Sequence, residues 1–519
     1  MKLYRSFLTV GGMTMVSRVL GFVRDILIAA VLGTGAVADA YFVAFRFPNL
    51  FRRLFAEGAF NAAFVPLFAK RLDGEGDAAA REFAEQALAM LLAALLVTTA
   101  VAEISMPWLM YLIAPGFAAS PEKFDLAVLL TRIAFPYLLF VSLVALLSGV
   151  LNALGRFAVA AAAPTLLNIV LIGVLSGVAM AGWGDTPRAG IAITWGVAAA
   201  GLLQLVVLGF WARHVGFGLR LKMPKINADM RRLIRLGIPG VIAGGITQVN
   251  IVIGTIIASL QDSAVSWLYY ADRIYQLPLG IVGIAIGVVL LPELSKQLRA
   301  DDGDGALSSL NRSLEFSSLL TLPAAIALIV VPTPIIQVLF ERGAFAASDT
   351  PATAAALMAF AVGLPAFVVI KVLSPAFFAR EDTRTPMIFA GVSVVVNVVG
   401  SLALFYWIGH VGIAVATSLA GWTNAALLAV SLSRRGGFKL DDRLRALAGP
   451  MLLSCVAMGA FLWAAATGLS GWFGPENGLL VQVAALGVLV VGGLLVYGLA
   501  CQLTGAANLP VLLKGLRRQ

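Results

Sequence analysis

This sequence is short of charge. Only 12% of its 519 residues are Asp, Glu, Lys or Arg, and 60% are hydrophobic; a soluble domain carries roughly 25% charged residues. So little polar surface excludes a soluble globular protein. Cysteine is nearly absent: Cys455 and Cys501 both sit in apolar stretches, which excludes a disulfide framework and a thiolate metal motif. The two histidines, His214 and His410, fall at the ends of predicted helices and form no metal cluster. No GxxxxGK[ST] loop is present, which excludes a P-loop ATPase engine. No Ser/His/Asp set or pair of catalytic carboxylates stands out, so a transporter is expected rather than an enzyme, with no cofactor.

What is present is apolar sequence from end to end, with a mean hydropathy of +0.94. A spanning helix needs about 20 mostly apolar residues. The apolar runs are continuous and not alternating, which predicts helices and not a barrel. Fourteen transmembrane helices are predicted, at about 6–32, 36–69, 82–112, 124–153, 157–182, 189–212, 231–260, 264–292, 311–339, 351–378, 385–408, 411–432, 446–469 and 478–503. The N-terminal run is too long for a signal-peptide core and is read as a retained first span.

The net charge of +10 could suggest nucleic acid, but its placement argues against that partner. With both termini cytoplasmic, twenty-five of the 37 basic residues fall in cytoplasmic segments and three, Lys123, Arg188 and Arg342, outside. That asymmetry is the positive-inside pattern of an inner-membrane protein.

The chain also repeats itself weakly at an offset near 226. FVPLFAKRL at 64–72 matches LLPELSKQL at 290–298, and Asn168 in TLLNIV pairs with Asn397 in VVVNVV. The repeat unit holds six helices, an even number, so the halves enter the membrane from the same side. That is the parallel-repeat plan of transporters, with a central cavity between lobes. The expected domains are an N-lobe at 1–212, a cytoplasmic amphipathic linker at 213–230, a C-lobe at 231–435, and two further helices with a cytoplasmic tail at 436–519.

Nine basic residues lie inside predicted spans: Arg18, Arg24, Arg46, Arg52, Arg53, Arg132, Arg235, Arg273 and Lys371. Each costs about 2.5–3.5 kcal/mol at a helix centre, so each is expected to face protein or a wet cavity. In the second span Asp39, Arg46 and Arg53 recur every seven residues, with Glu57 four beyond Arg53. This stripe reads as a salt-bridge ladder. Arg18, Arg24 and Arg52 have no acid three or four residues away, although Asp25 shares nearly the same face as Arg18. Arg273 follows Asp272 in the opposite lobe. A guanidinium stays charged and grips phosphate oxygens bidentately, so Arg18, Arg24, Arg52 and Arg273 predict an anionic, phosphate-bearing substrate. Asp25, Asp39, Arg53, Glu57 and Asp272 are predicted to support or gate that site. A multidrug or cation antiporter would instead need an acidic cavity, and a non-transporting scaffold would need larger loops.

The segments SRVLGFVRD at 17–25, ADAYFVAFRFPNLFRRLFAEGAFNAAFVP at 38–66 and YYADRIYQLPLG at 269–280 closely resemble the MurJ (MviN) family of lipid II flippases, within the multidrug/oligosaccharidyl-lipid/polysaccharide flippase superfamily. The resemblance implies a role in peptidoglycan biosynthesis, and so in cell-wall biogenesis and cell shape. It implies that lipid II, an undecaprenyl-pyrophosphate-linked precursor, moves from the cytoplasmic to the periplasmic leaflet by alternating access. It places the family's cavity arginines on Arg18, Arg24, Arg52 and Arg273, and its acidic positions on Asp39 and Glu57. It further implies membrane lipids and cell-wall synthesis machinery as partners. The energy sources open to such a carrier are the membrane potential and a monovalent cation. Another polyprenyl-pyrophosphate-linked glycan would present the same phosphates.

Overall fold

The computed structural model describes residues 2–52, 60–474 and 476–507, with backbone alone at 2–10, 47, 51–52, 62, 239–247, 249 and 281–289. The described residues are helical, with short connections and no strand. In order the helices are α1 (Lys2–Leu32), α2 (Ala36–Arg52), α3 (Phe60–Glu75), α4 (Asp77–Ile113), α5 (Pro121–Ala134), α6 (Tyr137–Ala153), α7 (Phe157–Met180), α8 (Pro187–His214), α9 (Ala228–Ala258), α10 (Ala264–Arg299), α11 (Gly303–Val330), α12 (Pro332–Phe340), α13 (Asp349–Phe378), α14 (Arg384–Ile408), α15 (His410–Arg434), α16 (Asp442–Gly468) and α17 (Leu479–Thr504). Ten stretches among the described residues are long and apolar enough to cross a membrane.

Two predicted spans are not single helices. The span at 124–153 breaks at Phe135–Pro136, and that at 311–339 breaks at Val331–Pro332. Proline lacks the amide that would continue the helical ladder, and its ring crowds the preceding turn. Of the span at 36–69 the structure describes α2 and α3, both helical, with 53–59 outside the described residues. Lys123, predicted to lie in an outside loop, is instead in the first turn of α5 and is buried.

Two compact units are present, Met1–Ser266 with Arg342–Phe345, and Trp267–Glu341 with Ala346–Gln519. In the first, α1 packs on α7, α2 on α5, and α3 on α4, α6 and α9. Phe64, Phe68 and Phe83 stack at the centre of one core, with Leu146, Val150 and Met230 around them. The carbonyls of Ala30 and Val31, orphaned at the end of α1, accept from the Ala344 and Asp185 amides at 2.8 Å each. The chain then turns at Gly33, φ +63°, where a Cβ would lie 2.3 Å from the Ala344 carbonyl oxygen. Only glycine fits so close an approach.

The segment between α8 and α9 is neither helix nor strand over 217–227. It is fastened to α4: Glu85 accepts the Arg220 amide at 2.9 Å and the Lys222 ammonium at 2.8 Å. The hydrogen bond that Lys222 donates to Glu85 holds the Lys222 pKa above its ordinary value. Arg81 donates to the Gly216 carbonyl at 2.6 Å and lies over the Phe217 ring.

In the second unit α13, α14 and α15 pack together, and α16 and α17 pair with each other against α11 and α12. Cys455 and Cys501 are buried there as free thiols. Arg312 of α11 binds Asp441, the N-cap of α16, and Glu315 binds Arg443 at 2.8 Å. In the α13–α14 loop, the Thr385 amide and then the Arg435 guanidinium hold the Asp382 carboxyl down at about 2. Any stability from that contact is present above the ordinary carboxylate range and lost as pH falls toward that value.

One contact explains how α17 is docked. Pro323 in α11 denies the Leu319 carbonyl its helical donor. The buried Tyr497 hydroxyl donates to that carbonyl at 2.9 Å. Tyr497→Phe therefore leaves a buried carbonyl unpaired, and a loss of about 1–3 kcal/mol is expected. Thermal unfolding of the purified chain in detergent checks this; an unchanged midpoint would show that the contact is dispensable.

Candidate functional site

The N-terminal motif residues lie along α1, a helix of 31 residues. Its two halves differ. Residues 11–16 are all exposed, whereas Asp25, Ile28, Ala29, Val31 and Leu32 are buried. Arg18 is fourteen residues from the end at Leu32, about 21 Å at 1.5 Å per residue. It is exposed, and it makes no hydrogen bond or ion pair with any described residue.

Arg24 is held in place. Its Nε and Nη2 donate to Asp25 Oδ1 at 3.1 and 2.7 Å, and its Nη1 donates to Asn168 Oδ1 at 2.9 Å. Asn168 Nδ2 in turn donates to the Ser17 carbonyl at 2.8 Å, one residue from Arg18. The sequence suggested an Arg24 without a carboxylate, because only positions three and four residues away were considered. The adjacent Asp25 and an amide from α7 supply what the helix ladder does not. Burying an ion is tolerable only when it is paired and hydrogen-bonded, and Arg24 and Asp25, with side chains 11% and 5% exposed, satisfy one another. Arg18 has no such partner among the described residues.

The predicted ladder along α2 is corrected by the structure. Asp39 is fully buried and does not pair along its own helix. It accepts from Lys123 Nζ at 2.8 Å, the Ser263 amide at 3.0 Å, and the Ser266 amide and hydroxyl at 3.0 and 2.6 Å. Ser263 directly precedes α10, so Asp39 satisfies orphan amides of that helix start from outside, and its charge suits the positive end of the dipole. Lys123 also reaches Asp262 at 3.1 Å and lies 4.4 Å over the Phe117 ring. Arg46 donates to Thr255 of α9. Asp39 and Arg46 are thus met by α5, α9 and the start of α10. Arg53 and Glu57 lie outside the described residues, as does the side chain of Arg52.

In the second unit Arg273 is half-buried, with its guanidinium 4.6 Å over the Tyr269 ring. Asp272 accepts from Gln276 one turn on. Lys123, Ser266 and Asn168 were not predicted as site residues. Asn168 was visible only as a repeat landmark; it and its counterpart Asn397 are both buried, at 5% and 4% exposure. Among the described residues no group of three or more His, Cys, Asp or Glu could hold a metal ion.

Comparison with known proteins bears directly on this arrangement. A family profile described as lipid II flippase MurJ matches residues 28–476. The chain is 45% identical over 520 residues to a protein of Rhizobium tropici named probable lipid II flippase MurJ, covering 100% of this chain and 97% of the relative. It is 46% identical over 519 residues to the protein of the same name from Rhizobium meliloti strain 1021, with the same coverage. Among solved structures it is similar to lipid II flippase MurJ in an inward closed conformation, with TM-score 0.77, 25% identity, and coverage of 95% of this chain and 98% of that one. An inward-facing multidrug resistance MATE family transporter shares the fold alone, at TM-score 0.69 and 13% identity over 82% of this chain and 97% of that one.

The Asp39–Lys123 pair makes a stability prediction. Lys123→Met strands a buried carboxylate and is expected to cost about 3–5 kcal/mol, whereas adding Asp39→Asn removes the stranded charge and restores part of it. Thermal unfolding of both variants checks this; a double variant no more stable than the single one would contradict the pairing.

Proposed function

The chain belongs to the lipid II flippase MurJ family, and on that premise we propose that it carries lipid II across the cytoplasmic membrane by alternating access, with the pyrophosphate head met by arginines of α1, α2 and α10. The single observation that carries this reading is Arg18. A guanidinium near the middle of an apolar helix, exposed and without a partner among the described residues, is costly unless it serves a ligand. Two parallel N–H donors match the oxygens of a phosphate.

Arg24 takes a second role in this scheme. Asp25 and Asn168 fix its plane, so it presents a pre-oriented, partly neutralised group, about 9 Å along α1 from Arg18. Arg52 and Arg273 complete the set by resemblance of their motifs, and Asp25, Asp39, Arg53, Glu57 and Asp272 support it. The stacking of Arg273 on Tyr269 leaves a weakly hydrated cation suited to phosphate. The head needs such shielding because a bare phosphate in hydrocarbon is prohibitively unfavourable. With both termini cytoplasmic, a negative-inside potential favours outward movement of an anion by about 2.3 kcal/mol per charge per 100 mV.

Lipid II translocation in cells that depend on this chain tests the reading, with membrane levels of each variant matched by immunoblot. Arg18→Glu is expected to abolish translocation, and Arg18→Lys to retain a fraction, slower by about tenfold because the fork is lost. Wild-type translocation by Arg18→Glu would overturn the proposal. Asp25→Asn, which loosens Arg24 without removing it, is expected to slow translocation less than Arg18→Glu; the reverse order would place the site on the Arg24 pair instead.

A further inference from the structure

A second guanidinium stands outside the machinery described so far. Arg132 is exposed on α5, eleven residues from Pro121. Facing it on α4, Pro107 denies the Glu103 carbonyl its helical donor. Arg132 Nε donates to that carbonyl at 3.2 Å and fills the gap. Its Nη nitrogens make no hydrogen bond or ion pair with any described residue. The Glu103 side chain does not take them: its Oε1 is buried and has no hydrogen-bond partner.

The surroundings are those of a lipid-facing surface. Ile104, Trp108 and Leu112 of α4 are 72%, 69% and 66% exposed, and Leu129 of α5 is 44% exposed. Trp108 and Tyr111 sit near the end of α4, where amphipathic rings mark a headgroup boundary. Glu103 is five residues before Trp108, about 7.5 Å deeper. Arg132 Nε is held at the level of the Glu103 carbonyl, so a headgroup reaches the guanidinium by local thinning of the bilayer at this surface. Asp125, two turns from Arg132, and Glu122, nearly three turns away, are the other charged groups on the same exposed stripe of α5.

We infer that Arg132 is a binding site for the phosphate of an anionic glycerophospholipid at the surface formed by α4 and α5. Nε is committed to the Glu103 carbonyl, so the plane of the guanidinium is set before any ligand arrives. The two terminal nitrogens then face the lipid as a fork of the geometry that a phosphate accepts bidentately. A net negative headgroup is favoured over a zwitterionic one, whose own ammonium competes for the phosphate. Glu103 weakens the site by its proximity, which sets a sign: neutralising it strengthens lipid binding.

Native mass spectrometry of the full-length protein in detergent tests this, with phosphatidylglycerol, phosphatidylcholine and undecaprenyl phosphate titrated separately. Wild type is expected to retain phosphatidylglycerol in preference to phosphatidylcholine. Arg132→Gln should weaken phosphatidylglycerol about tenfold, Glu103→Gln should tighten it, and Arg235→Gln, at another exposed arginine, should leave it unchanged. Should Arg132→Gln fold poorly, the double variant Pro107→Ala/Arg132→Gln supplies the missing amide to the Glu103 carbonyl and isolates the lipid effect. Undiminished phosphatidylglycerol binding in that double variant would overturn the site. So would equal retention of phosphatidylcholine, or a preference for undecaprenyl phosphate, which would assign the surface to a polyprenyl lipid.

Discussion

A polar group in hydrocarbon must find a partner within the protein, and the described structure follows from that constraint. The cost of an isolated ion there is several kcal/mol, and an unpaired carbonyl costs less but still of order 1–3 kcal/mol. Asp39, with no exposure at all, collects a lysine, two amides and a hydroxyl. Arg24 collects a neighbouring carboxylate and an amide from α7. The rule extends to backbone: Pro323 and Pro107 each open a helical ladder, and the freed carbonyl is met by Tyr497 in one case and Arg132 in the other. Helix-breaking prolines are tolerated in membranes when neighbouring helices satisfy what they release.

Against that background the informative residues are those left unsatisfied. Arg18 and Arg24 belong to one motif and one helix, yet they differ in kind. Arg24 has a complete set of protein contacts and a fixed plane, so its charge is largely spent on structure. Arg18 sits where α1 has lost its packing, with its charge available. Under the function proposed above, that charge meets a pyrophosphate, which has both the negative charge and the paired oxygens that a guanidinium selects.

Much of this was legible in the chain itself. Continuous apolar runs specify helices, and every predicted segment is helical over most of its described length. What hydropathy does not register is continuity: Pro136 and Pro332 break helices whose side chains stay apolar on both sides of the break. Partnerships are harder still. Periodicity along α2 suggested that Asp39 would pair with Arg46, but Asp39 pairs with Lys123, 84 residues away. No helical spacing carries that information, since it depends on which helices become neighbours. Lys123 looked like a loop charge because a single lysine at a helix start resembles one that faces water. Asn168 was found through the repeat with Asn397, and its grip on Arg24 and Ser17 appeared only with the packing of α1 on α7.

The account turns on Arg18 being the ligand-facing cation, and the affinity of the purified full-length protein for lipid II measures that directly. Arg18→Gln is expected to raise the Kd for lipid II by about tenfold while leaving thermal stability unchanged, since no protein contact is lost. A Kd equal to that of the wild type, in a variant that folds normally, would contradict it.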